Sequence, residues 1–323
     1  MLVGRSRTMQ DLGVRIARVA ATPFTVLIEG ESGAGKELVA RELHASSPRR
    51  RGPFVAVNCA AIVDTLLESE LFGIEDRTAT GVRGRRGKFE QAEGGSLFLD
   101  EVADLSATAQ AKLLRVLQDM SVERVGGYQP RAIDTRVIAA TNRSLIAQVE
   151  AGVFRADLFY RLAGVEIYVP PLRARREDVP LLVEHLLARH TQANPLTFSA
   201  GAIEALMAHD WPGNVRQLAR VLERTVALSS GPVIGVRDLP EEITKPYRRV
   251  LMAAPERDES LRAWSSRYVR LVLDRCSGNK RQACELLDIT YHTLRSHLGH
   301  RRHIRKIAKP PAQVPAVPEE ASA

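Results

Sequence analysis

Residues 30–37 read Gly-Glu-Ser-Gly-Ala-Gly-Lys-Glu and follow the apolar run 24–28 after a single residue, Glu29. Gly30, Gly33 and Gly35 free the backbone to curl, and residues 36–45 carry a helical pattern. A strand, a glycine loop and a helix N-terminus aim several backbone N–H groups and a positive dipole end at one spot, where a polyphosphate would sit. Lys36 would then reach the terminal phosphates, with Glu31, Ser32 and Ala34 completing the loop. The hydroxyl residue that usually follows such a lysine, a magnesium ligand, is replaced by Glu37.

A second string, Gly-Gly-Ser-Leu-Phe-Leu-Asp-Glu, occupies residues 94–101. Leu97, Phe98 and Leu99 read as a fully buried parallel strand. Such a strand ending in two acids sets them at the carboxyl edge of the sheet, beside the phosphate loop. Asp100 suits Mg2+ coordination, and Glu101 suits polarising a water. The alternative reading makes the acids caps for the helix that starts at Ser106.

The elements that must position these groups follow from periodicity. Strand-like runs at 24–28, 54–57, 97–99, 136–140 and 165–169 alternate with helical stretches, which predicts a parallel α/β sheet. After Pro170-Pro171, apolar residues recur at helical spacing over 179–190, 200–209 and 215–229, with no strand expected between them. Residues 245–258, with Pro246 and Pro255, read as a linker, and the Pro/Ala/Glu-rich tail from 309 is expected to be disordered.

A chain of 323 residues, 45% of them hydrophobic, has room for two or three domains at ~100–200 residues each. No apolar run approaches the ~18 residues of a membrane span, and no secretory apolar segment opens the chain, so a cytoplasmic protein is expected. Cys59, Cys276 and Cys284 show no metal or disulfide spacing and read as reduced thiols.

Charge is concentrated by place. Residues 259–309 hold twelve Lys and Arg against four Asp and Glu, a net charge equal to the +8 of the whole chain. The same segment reads as three helices over 261–276, 279–287 and 290–300. A short helix, a tight turn and a helix presenting Thr290, Tyr291, His292, Arg295 and Ser296 fit a helix-turn-helix with its last helix in the major groove of DNA. Lys280, Arg281, Arg301, Arg302 and Arg305 would meet phosphates. A helical hairpin that merely dimerises the chain is the alternative.

On these residues the chain resembles the bacterial enhancer-binding proteins, activators of sigma-54 RNA polymerase. The strings that carry the likeness are those at 30–37 and 94–101, then Asn58-Cys59-Ala60-Ala61, Glu70-Leu71-Phe72-Gly73, Glu123-Arg124-Val125-Gly126-Gly127, Ala140-Thr141-Asn142, Phe154-Arg155-Ala156-Asp157-Leu158, Pro170-Pro171-Leu172-Arg173 and Trp211-Pro212-Gly213-Asn214. The family itself carries the unusual glutamate at the place of Glu37. The resemblance implies an AAA+ α/β ATPase subdomain over 1–171, its helical lid over 172–244, a linker over 245–258, a Fis-type helix-turn-helix DNA-binding domain over 259–308 and a tail over 309–323.

Residue roles follow from the same likeness. Asn58 looks like the residue that restrains the catalytic Glu101, and Asn142 like the sensor of the γ-phosphate. Arg155 and Arg161 look like arginine fingers inserted into a neighbouring subunit's site, and Arg216 like a second sensor on the lid. The resemblance implies ATP and Mg2+, a homo-oligomeric ring that is hexameric in the family, an upstream DNA site, and RNA polymerase holoenzyme containing sigma-54 as partner.

One segment departs from the family. Where the family carries a sigma-contacting Gly-Ala-Phe-Thr-Gly-Ala loop, this chain reads Arg77-Thr78-Ala79-Thr80-Gly81-Val82. Three readings stay open: contact with sigma-54 by other side chains, action on another polymerase form, or regulation by DNA binding alone. A general AAA+ remodelling ATPase is a further alternative. The family homology begins at Leu2, which leaves control to another protein or makes this chain a fragment.

Overall fold

The computed structural model describes residues 2–76, 84–188, 196–229, 231–244 and, further on, 265, 266, 268–270, 272, 273, 276 and 278–299. Two compact units divide the chain, residues 1–244 and 245–323.

The first unit is built on five parallel strands: β1 (Val26–Glu29), β2 (Phe54–Asn58), β3 (Ser96–Asp100), β4 (Arg136–Thr141) and β5 (Val165–Tyr168), in spatial order β2-β3-β4-β1-β5. The apolar residues of β3 and β4 are buried throughout, as strands covered on both faces must be. Helices α1 (Arg7–Ala20) and α2 (Lys36–Ala45) cover one face; α3 (Asp64–Phe72), α4 (Ala107–Asp119) and α5 (Ala156–Leu162) cover the other. The register pairs Asn58 with Asp100 and Glu29 with Thr141, which brings the polar strand ends to one carboxyl edge.

Each observed strand lies within about two residues of its expected run, and α2 covers 36–45 as expected. Ser106 caps α4 by accepting from Ala109 N–H, while Asp100 and Glu101 stay at the sheet edge and their side chains cap no helix.

The lid part of this unit holds α6 (Val179–Leu187), α7 (Ala200–Ala208) and α8 (Asn214–Leu228). Trp211 is fully buried among them and donates its indole N–H to Leu206 O at 2.8 Å. The expectation of no strand between these helices needs correction: Thr197–Phe198 pairs in parallel with Val233–Ile234. A two-residue strand is too short for any alternation to register in the sequence.

In the second unit, helical residues within 265–273 precede α9 (Lys280–Leu287) and α10 (Tyr291–Gly299). Val269, Val272, Cys276, Ala283 and Leu294 form its core. Asn279 caps α9 through its side-chain oxygen, and Asp288 ends that helix at φ +49°, which turns the chain sharply into α10. The linker, the tail, loop residues 77–82, and Arg301, Arg302 and Arg305 lie outside the described residues. Among the described residues no helix is long and apolar enough to cross a membrane.

Candidate active site

Gly33 and Gly35 take φ values of +74° and +110°, so the segment between β1 and α2 curls and leaves the N-terminus of α2 without a side-chain cap. Lys36, only 6% exposed, donates to Gly30 O at 3.0 Å and to Glu101 Oε1 at 3.4 Å. The lysine is thereby fixed over the loop between the glycine backbone and the end of β3.

Glu101 follows β3 at φ +54°, a backbone conformation rare for a residue with a side chain, and such strain gathers at functional sites. Its Oε2 accepts the Asn142 backbone N–H at 3.0 Å. Asp100, beside it, accepts the Glu101 N–H at 3.1 Å. Burial, reinforced by the Glu101 charge, pushes the Asp100 carboxyl above its usual range. A crowded acid of this kind gains from a divalent cation, so the residues present fit Mg2+. Among the described residues no group of three or more His, Cys, Asp or Glu side chains converges on a metal position. Phosphate oxygens and water would complete the shell, as is usual for magnesium.

Glu37 lines the same cavity and adds its charge to the acids acting on Asp100, while its carboxylate pairs with Arg41 at 2.7 Å along α2. Asn58 sits at the carboxyl edge opposite Asp100, but its side-chain oxygen accepts the Ala60 N–H at 2.9 Å. The hydrogen bonds to Glu101 come from Lys36 and the Asn142 N–H, and none joins it to Asn58 in this conformation. An asparagine ending a strand readily caps the turn that follows it in this way, which leaves its amide N–H groups as donors.

The lid closes over the loop. The Arg216 N–H donates to Gly33 O at 3.3 Å, and its guanidinium reaches Ser32 Oγ at 3.1 Å. A cavity of about 260 Å3 is lined by Ser32, Gly33, Lys36, Asp100, Glu101 and Arg216, among others.

Sequence reasoning missed the clamp that joins lid and loop. Arg173 grips Glu31 with both guanidinium nitrogens, at 2.7 and 2.5 Å, and holds its carboxyl below the usual range. Asn214 lies at φ +52°, fully buried, and donates to Glu31 Oε2 and Ser32 O, both at 3.1 Å, while accepting the Leu172 N–H at 2.7 Å. Arg175, also buried, donates to Ala34 O at 2.9 Å. The strings at 170–173 and 211–214 were the available signal, yet nothing in them names Glu31 as their target.

Arg155 and Arg161 do not line the phosphate cavity of their own chain. Arg155 forms a forked, exposed pair with Asp157 at 3.0 and 2.7 Å. Arg161 donates twice to Leu117 O, at 2.9 and 2.7 Å. Cys59 is buried beneath the acids; desolvation, then Asp100, Asp104 and Glu101, push its thiol up to about 12. In the second unit, Lys280, Arg281, Thr290, Tyr291, His292, Arg295 and Ser296 are all exposed.

Residues 2–168 match the family model described as the sigma-54 interaction domain, and residues 173–251 match that of an AAA+ ATPase lid domain. Among curated proteins, the chain is 46% identical over 302 residues to the transcriptional regulatory protein ZraR of Escherichia coli, covering 92% of this chain and 68% of that protein. It is 43% identical over 303 residues to the regulatory protein AtoC of the same organism, covering 91% and 66%. Among solved structures, NtrX of Brucella abortus in complex with ATP is similar at a TM-score of 0.75 and 39% identity, over 91% of this chain and 68% of that one.

Proposed function

Since this chain belongs to the sigma-54 interaction domain family of AAA+ ATPases, we propose that it is an ATP-hydrolysing bacterial transcription regulator which binds DNA upstream and remodels RNA polymerase holoenzyme containing sigma-54. The observation that carries this reading is the convergence of Lys36, Asp100, Glu101 and Arg216 on one cavity against the glycine loop.

In this reading the N–H groups of residues 33–37 and the Lys36 ammonium bind the phosphates of ATP, and Arg216 and Ser32 close the lid side. Glu101, oriented by Lys36 and the Asn142 N–H, accepts the proton of the attacking water. Asp100 would hold Mg2+, whose charge neutralises the phosphates. Arg155 and Arg161, absent from their own chain's cavity, serve a neighbouring subunit, which requires a ring, hexameric in the family. Asn142 senses the γ-phosphate, and Asn58, through its amide N–H donors, holds Glu101 away from water until the partner surface is engaged. The exposed face of α10, with Tyr291, His292 and Arg295, chooses the DNA site, while Lys280 and Arg281 neutralise its phosphates. The compartment that fits these partners is the cytoplasm.

The test is a native gel of the ring, trapped with ADP and a metal fluoride phosphate mimic, against purified sigma-54. A shifted complex is expected. Its absence from a preparation that hydrolyses ATP would overturn the sigma-54 reading and favour another polymerase form, the second reading that Ala79 in place of the family's aromatic tip supports.

A further inference from the structure

Gln110, in the first turns of α4, is only 1% exposed, and its side chain makes three hydrogen bonds, all outside its own helix. The amide nitrogen donates to Leu105 O at 2.9 Å and to Val153 O at 3.2 Å, and the amide oxygen accepts the Arg155 N–H at 2.9 Å. Two donors and an acceptor at the end of one neutral side chain are what a primary amide supplies. A buried polar group satisfied in this way often does no more than fix a loop. The two places that Gln110 joins give it a further role.

On one side stands the turn that leaves Glu101. Residues Val102–Asp104 make one tight helical turn, in which the Asp104 N–H donates to Glu101 O at 3.0 Å and the Leu105 N–H to Val102 O at 3.2 Å. The Arg143 guanidinium pairs with Asp104 at 2.8 Å, so this turn is tied to the end of β4 as well as to Glu101. On the other side stands Arg155, which occupies the N-cap position of α5 and whose own N–H is the one that Gln110 holds. Seven residues further along the same face of α4, Leu117 O receives the Arg161 guanidinium. Both arginines are thus held by α4, and the start of α4 is held to the turn after Glu101.

We propose that Gln110 is a positioning residue for Arg155: its amide fixes the Arg155 backbone against the turn that follows Glu101, so that the guanidinium is offered to the neighbouring subunit from one set place. The inference rests on the reading above in which Arg155 acts between subunits. The Arg155 side chain is exposed and long, and its reach is set by where its backbone starts. A misplacement of about 1 Å at a group that must meet the reacting phosphoryl can cost ~10²-fold in rate, so one buried amide is enough to matter.

The experiment uses Gln110→Met in the full chain, which nearly keeps the volume and removes all three bonds. Its kcat for ATP is expected to fall by about tenfold or more, with KM within about twofold of wild type. Mixing then locates the defect. Combined with Glu101→Gln, which retains Gln110 and Arg155, turnover should rise several-fold above the mean of the two variants measured apart. Combined with Arg155→Ala it should not rise, since neither variant then supplies a well-placed Arg155. Arg155→Ala mixed with Glu101→Gln is the reference and should recover. Recovery in the reference without recovery for Gln110→Met, or wild-type turnover in Gln110→Met alone, would overturn the inference by itself. A reference mixture that stays inactive would overturn both the inference and the reading beneath it. Should Gln110→Met not assemble, Gln110→Asn, one methylene too short to span the same partners, takes its place with the same expectations. Failure of both variants to assemble would overturn the inference in favour of a role in folding.

Discussion

The Asn142 backbone N–H donates to Glu101 Oε2 at 3.0 Å, so the end of β4 orients the acid that follows β3. Replacing Glu101 with Gln keeps the shape and the hydrogen-bonding reach but removes the base. Nucleotide binding should persist while turnover falls by about 10²–10⁴, read by fluorescent nucleotide titration and phosphate release. Asn142→Ala keeps the backbone donor, so a loss of turnover there isolates the role of the amide side chain.

Arg173 and Glu31 couple the lid to the phosphate loop across 142 positions of sequence. Arg173→Lys cannot reproduce the fork and should raise the KM for ATP by about fivefold, an energy near 1 kcal/mol. The pair is partly exposed, so melting should show a stability loss of only about 0–1 kcal/mol. A large stability loss with unchanged KM would assign the clamp to folding alone.

The proposed action of Arg155 and Arg161 between subunits makes a complementation test possible. Arg161→Ala and Glu101→Gln should each be nearly inactive alone, with the arginine change costing about 10³ in rate. Mixed, they form interfaces with an intact Glu101 facing an intact Arg161, and activity should reappear. Mixtures no more active than either variant would place the arginine within its own chain's site.

Cys59 holds its proton far more tightly in the fold than in the unfolded chain, where the thiol ionises near 9.0. At pH 8 native protein should resist iodoacetamide at Cys59, and denatured protein should react, as peptide mass spectrometry would show. Because the unfolded chain releases this proton first, the same shift lowers stability as pH rises from about 9 toward 12. Cys59→Ala should lack that part of the alkaline loss.

On DNA, Arg295 and Lys280 should separate. Arg295→Ala is expected to cost about 1–3 kcal/mol at one base position and relax specificity there. Lys280→Ala should weaken all sequences alike and reduce the salt slope by about 1, both read by anisotropy titrations at several salt concentrations.

Much of this molecule was legible in one dimension because the information was local. The glycine loop, the strand ending in Asp100-Glu101 and the caps at Ser106 and Asn279 are set by residues within a few positions of one another, where backbone sterics and short-range hydrogen bonds decide the outcome. The central strands declared themselves because full burial demands unbroken apolar runs. The strand pair at 197–198 and 233–234 did not, because two residues carry no period.

What only the tertiary structure decided is which distant groups meet. The sequence shows Glu31, Arg173 and Asn214 as separate letters, and only chain packing, with Asn214 held at φ +52° against β1's outgoing loop, closes them into a clamp. Asn58 illustrates the same limit from the other side: its amide N–H groups could donate to a carboxylate, yet the bond formed in the fold is the one its oxygen accepts from the Ala60 N–H. Residue types determine which bonds are chemically possible. Competition among neighbours in three dimensions selects the ones that form, since each donor and acceptor is satisfied by whichever partner the packed backbone brings within about 3 Å.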